Sequence, residues 1–336
     1  MIREEGTNVA GRQRAGMGLG YNPGTIESTG VFQTWNGKAF ASVEAFRDDG
    51  HQPGEIQMRA GVWTVVAAML VGFQVAKPDP VAPDFNSPRP IPAVDSVFIE
   101  EMTWMEVRDA MRGGKDTVIV ATGGIEQNGP YLAANKHNVV LRGTTDALAR
   151  KLGNALVAPI VGFVPEGEIS PPGLHMKYPS TVSLREETYR ALLTDICDGY
   201  RTHGFRTIVL LGDSGGNQPG MKDVAERLAA RWGAQGPRIV YIPEYYNYDK
   251  VKTWLESQGV KQGDEGLHDD FAITAIMATV DPNSIRRAQR VAAGKFAING
   301  IELEPFDKTV AWGRKIIDYR VDATIAALKA KLAEKP

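Results

Sequence analysis

From about residue 95 onward, short apolar runs of strand character alternate with stretches of helical period, and that alternation restricts this part of the chain to an α/β layered domain. Strands are expected at 117–121, 155–164, 207–211 and 238–242, with helices between them. Such an order implies a three-layer α/β/α architecture around a largely parallel central sheet. One expected helix follows Ser183, where Ser183 and Glu186 have the spacing of a capping box and Tyr189, Leu192, Leu193, Ile196 and Tyr200 fall on one face. Gly204 stops it, and Cys197 on the same face is expected in the core. Further helices are expected at 217–232 and 312–332, the latter from the spacing of Ile316, Ile317, Val321, Ile325 and Leu328.

Ahead of this domain the sequence divides at Met58. Residues 1–57 carry Gly, Arg, Gln and Asp without periodicity, and are expected to be disordered or to lie upstream of a translation start at Met58. Residues 58–76 combine a basic start, an interrupted apolar run and small residues at its end. They read as a secretory signal cleaved after Ala76, with an uncleaved anchor or a buried helix as the alternatives. Export to the periplasm or beyond is therefore expected, with no stable membrane span after cleavage. Residues 77–94 are Pro-rich and read as an extended linker, which leaves 95–336 as the folded domain.

A formal net charge of -2 provides no basic field for nucleic acid. With a single cysteine, metal chemistry has to use His, Asp and Glu. Three polar segments stand where an α/β sheet places its loops. The first is Gly123-Gly124-Ile125-Glu126-Gln127-Asn128-Gly129-Pro130-Tyr131-Leu132, followed by Asn135-Lys136-His137-Asn138. The second is Gly212-Asp213-Ser214-Gly215-Gly216-Asn217, and the third is Gly266-Leu267-His268-Asp269-Asp270. Their carboxylates and imidazoles suit a divalent metal, zinc first, with manganese or iron as alternatives. Each also has a structural reading. Glu126 sits in turn-forming sequence, Asp213 and the 268–270 segment are placed to cap helices, and Lys136 and Asn138 beside His137 suggest a surface loop.

Together these segments resemble the creatininase family, the creatinine amidohydrolases, over about 98–332. Glu126-Gln127-Asn128-Gly129-Pro130-Tyr131-Leu132 matches the family's Glu-Gln-His-Gly-Pro-His-Leu, with His137 at the position of a following Asp. His175 with Tyr178-Pro179-Ser180-Thr181 matches its Pro-Gly-Thr segment and the preceding His. His203-Gly204-Phe205-Arg206, the strand and Gly212-Asp213-Ser214-Gly215-Gly216-Asn217 match His-Gly-Phe-Arg through Asn-Gly-His-Gly-Gly-Asn. His268-Asp269-Asp270 matches a later His-Ala-Gly segment.

The resemblance implies a metal-dependent amidohydrolase that cleaves a C–N bond in a small amide or cyclic amide. It also implies a homo-oligomer, with the aromatic run Tyr245-Tyr246-Asn247-Tyr248 and Trp254 lining either the pocket or a subunit contact. Glu126 keeps a family ligand, while Asn128, His137 and Ser214 replace a His, the bridging Asp and a His. That exchange preserves one metal site better than two. The expected metal ligands are Glu126, His137, Asp213 and Asp270. His268 is expected to move a proton to the leaving nitrogen with Asp269 fixing its tautomer, and Asn128, Tyr131, His175 and Asn217 are expected to line the pocket.

A competing reading takes Gly212-Asp213-Ser214-Gly215-Gly216 as Gly-x-Ser-x-Gly, with Ser214 as nucleophile and Asp249 or Asp264 with His268 completing a triad. A third is a non-catalytic small-molecule-binding relative.

Overall fold

The structure is a computed structural model, and it describes residues 83–334. The apolar run at 58–76 and the segment before it lie outside these residues, as does the first third of the Pro-rich stretch. Its last part, from Pro83, is ordered against the domain. Arg108 donates through Nη1 to the carbonyls of Phe85 and Ser87, and Phe85 stacks on Trp104 at 6.0 Å. The folded domain thus starts before residue 95.

Four parallel strands form the sheet: β1 (Thr117–Thr122), β2 (Ala155–Val157), β3 (Thr207–Gly212) and β4 (Arg238–Tyr241). Their spatial order is β2-β1-β3-β4, with Thr117 opposite both Ala155 and Thr207, and Thr207 opposite Arg238. Around them lie α1 (Trp104–Arg112), α2 (Lys136–Leu152), α3 (Glu186–Thr202), α4 (Gln218–Trp232), α5 (Tyr248–Ser257), α6 (Phe271–Val280), α7 (Arg287–Ala292) and α8 (Phe306–Ala333).

Strand side chains alternate between two faces, and this builds two cores. Ile119, Ala121, Val209 and Leu211 pack with α2, α5, α6 and α8, whereas Val118, Val120, Ile208 and Leu210 pack with α3 and α4. Three layers result, as the alternation of elements predicts.

The differences from expectation have local causes. The apolar stretch 155–164 is a strand only to Val157, because Pro159 has no N–H to offer; isolated bridges at Val161 and Val164 keep it beside β1 and Ser183. The capping box on α3 does not form. Arg185 occupies the N-cap, and the Ser183 hydroxyl accepts from the Glu166 N–H while donating to the Gly167 carbonyl. A capping box is found instead on α1, between Thr103 and Glu106. Helix α8 begins at Phe306 rather than 312, and Gly313 explains how it fits. A Cβ there would lie 2.1 Å from the Ala275 carbonyl oxygen, so glycine lets α8 and α6 approach backbone to backbone. Among the described residues no helix is long and apolar enough to cross a membrane.

Candidate functional site

In a parallel sheet whose chain runs outward in both directions from the middle, a crevice opens beyond the carboxyl ends of the two strands where the direction reverses. Here those strands are β1 and β3. Glu126 follows β1, Asp213 and Ser214 follow β3, and a cavity of about 720 Å³ lies over them, reached also by His137, Glu166, His175 and His268.

Glu126 is the centre, only 2% exposed. Its Oε1 receives His137 Nε2 at 2.8 Å, Lys136 Nζ at 2.9 Å and His268 Nε2 at 3.1 Å, while His175 Nε2 lies 3.3 Å from Oε2. Burial alone would raise its pKa, but the hydrogen bonds from His137 and His268 and the charge of Lys136 outweigh it. The carboxylate is held far below its ordinary range.

His137 is not a surface histidine: it lies in the first turn of α2, buried between two carboxylates. Its Nδ1 donates to Asp213 Oδ2 at 2.9 Å, and its Nε2 faces Glu126. Burial and Lys136 lower its proton affinity, yet the bonds to Asp213 and Glu126 raise it further. Asp213 is fully buried, and the structure corrects its role as a ligand. Its oxygens take Arg320 Nη2 at 2.8 Å, the Tyr248 hydroxyl at 2.8 Å and His137, so it stands behind the imidazole and aims it. Burial pushes Asp213 up, and the Arg320 charge with the His137 bond brings it below the usual carboxylate value.

Glu166 was invisible to motif reading. It is 5% exposed, its Oε2 accepts from the Ser214 hydroxyl at 3.2 Å, and its Oε1 has no hydrogen-bond partner among the described residues. Burial and the neighbouring Glu126 push it up to about 8. The loop makes room for it through Gly124, at φ 154°, where a Cβ would lie 1.9 Å from Glu166 Oε1.

The remaining expected residues divide. His175 lines the cavity, its ring 4.5 Å from that of His268, and burial lowers its pKa. His268 reaches Glu126. Asp269 does not orient it, because both Asp269 carboxyl oxygens are buried without a hydrogen-bond partner among the described residues, and burial pushes that group up to about 6. Asp270 is a helix cap, accepting from the Ile273 N–H at 2.8 Å. Asn128 staples its own loop by donating to the Glu126 and Ala133 carbonyls. Asn217 donates to Thr122 and Gly123 and ties the Gly-rich loop to β1. Tyr131 lies under the Arg290 guanidinium at 4.3 Å, outside the cavity lining. These three therefore shape the loops around the pocket instead of facing it.

Tyr246 lines the cavity, Tyr248 and Tyr245 surround Arg320, and Trp254 stacks on Tyr319 at 4.7 Å, so the aromatic run is used within the chain.

The serine triad is not assembled. Ser214 contacts Glu166 and not a histidine, its φ of -108° is ordinary extended backbone, and Asp249 and Asp264 are both exposed. A nucleophile elbow requires a strained turn and a histidine within hydrogen-bond reach.

Two sets of ligand atoms, each within 4.8 Å of one another, converge on Glu126: one with His137 and Glu166, the other with His175 and His268. The buried set fits a divalent cation. It pairs an imidazole fixed by a carboxylate on its far nitrogen with a carboxyl oxygen that lacks a partner.

The sequence and fold have known counterparts. The creatinine amidohydrolase of Pseudomonas putida is 29% identical over 117 residues, covering 34% of this chain and 44% of that protein. The 3-dehydro-scyllo-inosose hydrolase of Thermotoga maritima is 26% identical over 160 residues, 47% of this chain and 48% of that one. The chain thus spans less than half the length of either curated relative it matches. A solved structure named "Creatininase Mn" superposes with a TM-score of 0.53 at 19% identity, over 71% of this chain and 100% of that one, which establishes the shared fold. The family model described as creatinine amidohydrolase matches residues 100–328, and the chain belongs to the creatininase family.

Proposed function

We propose that this chain hydrolyses the C–N bond of a small amide or cyclic amide in the pocket over Glu126, using a divalent cation, zinc or manganese, held by Glu126, His137 and Glu166. The observation that carries this reading is the setting of His137. Its Nδ1–H donates to Asp213, so Nε2 is the nitrogen presented to the two carboxylates, as in a carboxylate–histidine–metal arrangement. Both curated relatives are named as hydrolases, which supports the reaction class.

When bound, such an ion polarises a carbonyl and lowers the pKa of a coordinated water toward ~7. The chain's own groups divide the remaining tasks. Glu126 supplies the fixed negative charge, and Asp213 with Arg320 keeps His137 in place. His175, whose burial favours the neutral imidazole, accepts a proton from water at the cavity wall. His268, 47% exposed at the rim with its ring 4.5 Å from that of His175, gives a proton from Nε2 to the departing nitrogen and is recharged by the proton that His175 has taken.

The test is turnover of a panel of small linear and cyclic amides by wild type, chelated wild type, His137→Ala and Ser214→Ala. Chelation and His137→Ala are expected to remove turnover by at least ~10²-fold, and Ser214→Ala to stay within about tenfold of wild type. Full turnover after chelation would sink the metal reading. A collapse confined to Ser214→Ala would restore the serine nucleophile.

A further inference from the structure

Lys136 opens α2 with a side chain 2% exposed and its Nζ 2.9 Å from Glu126 Oε1. Burying an ammonium is costly unless a partner offsets it, and Glu126 is that partner. The same carboxylate is the one shared by both sets of metal-ligand atoms. Having two oxygens, it has the form of a bridge between two ions.

The ammonium changes that count. It occupies the approach to Oε1, beside the His137 and His268 nitrogens that meet the same oxygen. With Glu126 already neutralised, a first divalent ion still finds the unpaired Glu166 oxygen. A second ion would find the imidazoles of His175 and His268, with no free carboxylate among its three ligands and a fixed positive charge alongside. In a buried setting that repulsion is weakly screened.

We propose, resting on the cation site argued above, that the Lys136 ammonium takes the place of one divalent ion beside Glu126, so that this chain binds one ion where its ligand groups would otherwise take two. Lys136 is then a residue that sets metal stoichiometry, and it does so without being a ligand.

Native mass spectrometry of the full chain, dialysed with Zn²⁺ or Mn²⁺, counts ions per folded molecule for wild type, Lys136→Met, Lys136→Gln and Lys136→Arg. The expected counts are one for wild type, two for the Met and Gln variants, and one for Arg, which keeps the charge. Two ions on wild type would overturn the proposal, as would no gain in the neutral variants or an equal gain in Lys136→Arg. The wild-type count separates the two readings. One ion on all four removes the displacement and keeps the metal site. No ion on any of the four removes both.

Discussion

Arg320 of α8 donates through Nη2 to Asp213 Oδ1 at 2.8 Å, a contact made across 107 residues of sequence with both side chains buried. The guanidinium also lies 4.3 Å from the Tyr245 ring centroid and 4.9 Å from that of Tyr248, and Nη2 donates to the Tyr245 carbonyl. Removing one partner of a buried pair leaves the other uncompensated. Arg320→Met is therefore expected to destabilise the domain by about 3–5 kcal/mol. Urea unfolding checks this, and a loss below about 1 kcal/mol would show that Asp213 is compensated without Arg320.

Asp213 acts on the pocket through His137. Asp213→Asn keeps the shape but replaces a charged acceptor with a neutral amide, and changes of this kind at groups behind a ligand weaken metal binding by roughly 10–100-fold. A competition titration with a chromophoric chelator is expected to show a loss of that size. Complete loss of binding would instead place Asp213 among the ligands themselves.

Glu166 makes the stability of the metal-free protein depend on pH. Its folded-state pKa is raised from 4.5 to about 8, so between these values the folded chain holds a proton that the unfolded chain has released. Stability from this group is full below the lower value and falls as pH rises toward the upper one. In chelated protein the urea midpoint is expected to drop from pH 5 to pH 8.5, and Glu166→Gln to flatten the drop. An equal slope in the variant would assign the effect to other groups.

Cys197 offers a readout of global opening. It is fully buried on the inward face of α3, and burial pushes its thiol up to about 12. Thiolate is the reactive form, so a chromogenic disulfide reagent at pH 8 is expected to label Cys197 only in step with unfolding. Prompt labelling of the native protein would contradict this placement.

The layers of the fold could be read from the sequence because strand and helix periods are local. The apolar runs that became β1, β3 and β4 were legible to within a residue, whereas β2 was overextended past Pro159. At the site, Glu126, His137, His175 and His268 stood out as residue types in loop sequence. Other parts did not. Lys136 suggested a surface loop around His137, yet both side chains turn inward. Glu166 sits in Pro165-Glu166-Gly167-Glu168, which has the composition of a solvated turn. Arg320 is one polar residue in a long helix, and nothing within that helix records that Asp213 faces it. Asn128 and Asn217 are expected in the pocket from the family resemblance, but their donors are consumed by backbone carbonyls. In each case the deciding fact is which distant group takes up a charge or a donor, and local pattern holds no trace of it.

The place of Arg320 on α8 carries a consequence in time. As the chain is synthesised, Glu126, His137, Glu166, Asp213 and His268 all emerge before the guanidinium that neutralises Asp213. Domains assemble from their N-terminal side during synthesis, at ~5–20 residues per second. A nascent chain that has formed its sheet but not yet docked α8 therefore lacks the clamp on His137. Asp213, and through it the orientation of His137, is set only once α8 has docked.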